Sequence, residues 1–246
     1  MYLREIQLDL PYREKEEVIS AVMIENNCTY EEAIKIDYNK SWKSEIRRRF
    51  ELETRCIAAL FIRLINKYKN NTCTKVVIDC VEKDFDKTYP IYNGAAMGIG
   101  LIKYELNYVE FFNKSDYEKK LIIVKIIKDS LYIIGKEEKW NLTPIEETIK
   151  KMEELDYNNS WVFGKKKKSL NKQYTAELCI EHNIETIEFY AVIRNKMDEI
   201  IEKKIIVKEK PSEWFYVKYL GKLVWNSDTE INLINKAGTI LFTVNL

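Results

Sequence analysis

Residues 174–194 read YTAELCIEHNIETIEFYAVIR, and this stretch decides the fold class. Positions 174–181 and 185–194 are dense in β-branched and aromatic residues, the composition of half-buried strands, and His182-Asn183 between them is expected to be a turn. Two such runs across a short polar break pair as an antiparallel hairpin. Similar strand composition recurs at 200–208, 214–219, 230–235 and 239–244, with turn-forming clusters at 195–198, 226–228 and 236–238. The part from 158 to 246 is therefore expected to be an antiparallel β meander.

Upstream the period changes. Ile6, Leu8 and Leu10 alternate with polar residues as a short strand that Pro11 stops. Val18, Ile19, Val22 and Met23 then recur at helical spacing, and Thr29 with Glu32 forms a capping box. Trp42, Ile46, Phe50, Ile57, Phe61, Ile65 and Tyr68 lie on one stripe, which predicts a long helix over 41–68. Residues 75–81 (KVVIDCV) and the alternation of Ile102, Tyr104, Leu106 and Tyr108 predict a central strand pair. Two helices follow, one opened by Ser115 and Glu118 and ending near Gly135, the other opened by Thr143, Pro144 and Glu146. Helices grouped before strands make the chain α+β, since a doubly wound sheet needs the two to alternate. The division falls into a mainly helical part, 1–157, and a β part, 158–246. No Pro, Ser or Gly linker separates them, so one continuous globule is expected.

Composition narrows the function classes. The 246 residues are 46% hydrophobic and 12% aromatic, which is that of a packed chain and not a disordered one. Forty Lys and Arg against 39 Asp and Glu give a net charge of +1, so nucleic acid is not an expected partner of the body as a whole. The opening residues carry Arg4 and no long apolar run, and no apolar stretch approaches the roughly 20 residues that span a bilayer. The five cysteines are odd in number and contain no C-x-x-C pair, as in a reduced, cytoplasmic protein. Lys, Ile, Asn, Glu and Tyr are abundant and have A/T-rich codons, which points to a low-GC bacterium or its phage.

Five local features carry candidate chemistry. Asn93-Gly94-Ala95-Ala96-Met97-Gly98-Ile99-Gly100 resembles the glycine turn of short-chain dehydrogenases, in which close backbone approach lets a pyrophosphate sit on a helix N-terminus. Its context is wrong for that role: Pro90 interrupts the preceding strand, strand-like alternation follows, and Tyr117 has Leu121 where that family's lysine would stand. A glycine-rich hairpin fits better. Asp79, Glu82, Asp84 and Asp86, with Lys83 or Lys87 nearby, could converge on Mg²⁺ as in nucleases, or form an exposed acidic loop. His182 is the sole histidine, which rules out a zinc site built on several histidines; as a turn residue it is expected in solvent. Arg47-Arg48-Arg49 reads as an ion-paired helix face, and 165–168, four lysines, as a loop or hairpin tip. Of the five tryptophans, Trp140 is the one expected to be exposed.

No nucleophile, base and orienting group stand at recognisable spacing. The sequence therefore favours a non-enzymatic protein that binds another protein, in a bacterial conflict system an immunity protein neutralising a toxin, with no cofactor and no metal. Asp84, Asp86, Tyr89 and Tyr92 are the candidate partner-binding residues, because tyrosine offers a large rigid face and a hydroxyl at low entropic cost. A Mg²⁺-dependent nuclease using the 79–86 acids and a nucleotide-binding enzyme using 94–100 are the alternatives.

Overall fold

A computed structural model describes residues 1–246, and its architecture is α+β. The chain divides into two compact units, Met1–Tyr157 and Asn158–Leu246. No helix is long and apolar enough to cross a membrane.

The first unit opens with strand β1 (Glu5–Asp9), helices α1 (Glu16–Asn26) and α2 (Tyr30–Ile36), and a π-helical segment, Asp37–Arg47, that runs into α3 (Arg48–Ile65). Then come β2 (Lys75–Val81), the hairpin β3 (Ile91–Ala96) and β4 (Ile99–Glu105), and helices α4 (Tyr108–Phe112), α5 (Asp116–Glu137) and α6 (Thr143–Glu154). The four strands form one sheet in the order β1-β2-β4-β3. β1 pairs parallel with β2 and β2 parallel with β4, while β3 runs antiparallel to β4. The expected strand pair is thus part of a four-stranded mixed sheet, and the helices between β1 and β2 provide the long connection a parallel pair needs.

Period-two alternation places Ile6, Leu8, Val76, Ile78, Cys80 and Ile102 on one buried face of that sheet. Phe50, Ile57, Leu60 and Phe61 of α3 and Ile123, Ile127, Leu131 and Ile134 of α5 complete this core. Each such side chain, fully removed from water, contributes roughly 1.5–3 kcal/mol. Both capping boxes form: Thr29 and Ser115 accept from the backbone N–H of Glu32 and Glu118, whose carboxylates accept in return. Thr143 caps nothing, because the helix starts on it; its N–H donates to Asn141 Oδ1 at 3.1 Å.

Three expectations for this unit need correction. The helix set at 41–68 ends at Ile65, where Asn66 and Lys67 take positive φ, and its first turns are π-helical. The strand set at 102–108 stops at Glu105, because the Asn107 side chain accepts from the Glu110 N–H and starts α4. Trp140 is buried, its indole N–H donating to Thr72 Oγ1 at 3.1 Å.

The second unit is a sandwich of two antiparallel sheets. One has the order β5 (Asn159–Lys168), β6 (Thr175–His182), β7 (Ile187–Arg194), β8 (Ile200–Glu209). A short helix, α7 (Glu213–Tyr216), and a 3₁₀ turn, Val217–Tyr219, precede the second sheet, in which β10 (Glu230–Ile234) lies between β9 (Lys222–Trp225) and β11 (Ile240–Asn245). Ala176, Leu178, Ile180, Ile187, Phe189, Ala191 and Ile193 face Leu223, Trp225, Ile231 and Leu233 across the core. The four-lysine run is strand and not a loop tip: Lys167 pairs with Ala176 and Lys168 with Thr175 beyond a register shift at Gly164, whose φ is +77°. Residues 214–219 are helical and leave Trp214 83% exposed. His182 is buried, 1% exposed, with Nδ1 3.5 Å from Asn159 Nδ2, because it continues the inward row of Ala176, Leu178 and Ile180.

Candidate functional site

The strands β1, β2 and β4 run parallel, so their carboxyl ends share one edge of the sheet. Ligands of open α/β sheets bind at that edge, where chains leave the strands in different directions. Here the edge opens into a cleft of about 330 Å³. Its walls come from four separate stretches: Leu10 to Lys15 after β1, Cys80 to Tyr89 at and after β2, Tyr108 after β4, and Trp42. A volume of this size lies at the lower end of small-molecule sites, roughly 300–1,000 Å³.

Trp42 reaches the cleft from the π-helical segment. π-Helical geometry is rare and recurs at functional sites, because widening the turn re-aims side chains. This segment anchors three of them. Asp37 accepts from Tyr12 Oη at 2.8 Å, Trp42 Nε1 donates to the Leu10 carbonyl at 3.3 Å, and Arg47 grips Asp9 with Nε and Nη2 at 2.7 and 2.6 Å. The rings of Tyr12 and Tyr108 meet Trp42 edge-on, with centroids 5.8 and 5.5 Å away. Burial and the hydrogen bond to Asp37 push the Tyr12 phenol well above its usual range, so it stays protonated at neutral pH.

Charge in the cleft is largely paired. Lys15 Nζ lies 2.8 Å from Glu82 Oε1 and 3.4 Å from Tyr108 Oη, and the Glu82 bond raises the lysine pKa. Lys87 Nζ lies 2.7 Å from Asp84 Oδ2. That bond, and the Asp86 N–H donating to Asp84 Oδ1, hold the Asp84 carboxyl below the usual carboxylate range. Between Asp84 and Asp86 stands Phe85, 88% exposed, with Lys83 Nζ 4.9 Å from its ring centre.

Of the candidate partner-binding residues, Asp84 and Tyr89 line the cleft, and Asp86 is exposed on the same loop. Tyr92 stands apart from them. It lies on β3 opposite Ile102 and donates its hydroxyl to Glu138 Oε1 at 2.6 Å, so it braces the sheet against the end of α5. The four carboxylates of the nuclease alternative are dispersed. Glu82 and Asp84 hold lysines, Asp86 is in solvent, and Asp79 lies on the opposite sheet face from Cys80, in register with Asp9 and Lys103. No three His, Cys, Asp or Glu side chains stand together as a metal site requires. Burial, then the charge of Asp9, raises the pKa of Asp79.

The glycine stretch is a hairpin. Met97 and Gly98 turn the chain at φ of +52° and +80° between β3 and β4, and no helix follows to receive a pyrophosphate. Tyr12, Arg13, Lys15, Trp42 and Tyr108 carry no shared signal in the sequence, because they converge only through the sheet topology. No protein-family model, curated protein or solved structure matches the chain.

Proposed function

We propose that this chain acts by binding a protein partner through the loop 82–89 and the mouth of the cleft beside it. In biological terms the reading is that of an immunity protein, held in the cytoplasm and covering a toxin. The observation that carries it is Phe85: a large aromatic side chain left in water, flanked by two carboxylates and next to a second, aromatic-lined surface. Aromatic anchors of this kind supply most of the energy at protein interfaces, each about 2 kcal/mol or more when packed into a partner's pocket.

The charge pattern refines the reading. Asp84 is already held by Lys87, so Asp86 is the loop carboxylate still free to meet a cation on the partner. Five free cysteines, none in a disulfide, are in keeping with a reducing compartment. Affinity capture from the native host with the wild-type chain and with Phe85→Ala tests the proposal. One protein should be enriched by the wild type and lost with the variant, and co-expression of the chain should suppress that protein's toxicity. Equal recovery with both baits would remove the loop from the interface.

A further inference from the structure

The cleft has a composition that the partner reading does not use. Three cations, Arg13, Lys15 and Lys87, line it against two carboxylates, Glu82 and Asp84. Lys15 and Lys87 are each committed to one of those acids. Arg13 is exposed and forms no ion pair; it acts on Asp84 only through space. Arg13 is therefore the one lining cation without a carboxylate of its own, at the exposed rim of a concave surface that directs its field toward an anion. Four aromatic side chains line the same space: Tyr12 and Tyr89 are half-buried, while Trp42 and Tyr108 are buried behind them with Lys15 Nζ over the Tyr108 ring at 5.4 Å. Guanidinium is also the cation best suited to planar oxyanions, since its donors form a rigid fork.

We infer that the cleft binds an aromatic anion, its ring against Tyr12 and Tyr89 and its charged group on Arg13. The chemistry is an aromatic ring joined through a short linker to a carboxylate or phosphate. It has two sources: a free nucleotide, or a chain end of a protein bearing an aromatic residue and its terminal carboxylate. The inference uses the isolated chain and does not depend on the partner proposal. Failure of one leaves the other standing.

Trp42 provides a site-specific readout, because its indole N–H donates to the Leu10 carbonyl in the cleft wall. In a ¹⁵N-labelled chain its resonance is identified by its disappearance in Trp42→Phe. Adenosine monophosphate represents the free source, N-acetylphenylalanine the chain-end source, and adenosine the uncharged control. At least one of the two anions should shift the Trp42 signal with a Kd between about 10 μM and 1 mM, the range open to ligands of this size. Its affinity should fall about tenfold in Arg13→Gln, the loss expected for one charge-assisted contact. Arg13 has no partner in the chain, so this variant leaves the fold intact. Adenosine should bind at least about tenfold more weakly than its phosphate if the nucleotide is the better ligand. The inference fails if neither anion moves the resonance up to about 5 mM, or if the anion that binds is indifferent to Arg13→Gln.

Discussion

Replacing Lys119 by Met removes the ammonium from a pair that water barely reaches. Lys119 Nζ lies 2.8 Å from Glu53 Oε2, and the two side chains are 4% and 7% exposed. The pair joins α5 to α3, the two helices that cover the first unit's sheet. Stranding one member of a buried pair costs about 3–5 kcal/mol, chiefly because the remaining charge is desolvated without compensation. Here the lower figure applies. Arg49 Nε still holds the other Glu53 oxygen at 2.5 Å, and its guanidinium packs 4.2 Å from the Phe112 ring centre. A loss of about 3 kcal/mol corresponds to roughly a hundredfold rise in opening of the helix pair. Peptide-resolved hydrogen exchange reads that locally, in fragments covering 48–65 and 116–137, without assuming that the two units unfold together. Adding Glu53→Leu to Lys119→Met should return exchange to within about tenfold of wild type, because no charge is then stranded. An acceleration below about fivefold in the single variant would refute the reasoning, as would a double variant worse than the single.

Three further outcomes follow from other parts of the structure. Gly221→Ala should destabilise the second unit by about 3 kcal/mol or more, read as accelerated exchange in β9 and β10, because a Cβ there would overlap the Ile234 carbonyl. Native thiol titration should label Cys28 and Cys179 first and leave Cys56, Cys73 and Cys80 until denaturant is added, since the last three are buried and burial pushes the Cys56 thiol up to about 12. The Asp84 carboxyl has a folded-state pKa below its unfolded one, so its contribution to loop order is complete above the ordinary aspartate range and disappears as pH falls through the folded value. Amide signals of residues 82–89 should therefore be pH-independent at neutrality and change on acidification below about pH 4.

What the sequence made legible was local. Both capping boxes are three-residue patterns whose two hydrogen bonds close within one turn, so no distant contact can overrule them. β6 and β7 were legible for the same reason, their alternation being strong and their turn short. β5 is not legible because its second half is Lys165-Lys166-Lys167-Lys168, a run that looks like solvent-exposed loop. On an edge strand such lysines are expected, since they discourage pairing with another chain. His182 carried a usable signal that its polarity masked: Ala176, Leu178, Ile180 and His182 keep a strict period of two, which puts the imidazole inside. Nothing in the helical stripe around Trp42 marks a π-helix: of Asp37–Arg47 only Asp37 and Trp42 are buried, too few apolar positions to show a change of period. The cleft could not be found at all from one dimension. Lys15 and Glu82 are 67 positions apart, Lys15 and Tyr108 93, and the parallel register of three strands is what brings them together.

The central claim is that the loop 82–89 is an interface, and a photo-crosslinker placed at residue 85 tests it most directly. With p-benzoylphenylalanine in place of Phe85, irradiation in the native host should give one discrete adduct to a single protein. The same group in place of Trp214, equally exposed on the other unit, should not give that adduct. No adduct from position 85, or the same diffuse products from both positions, would contradict the account.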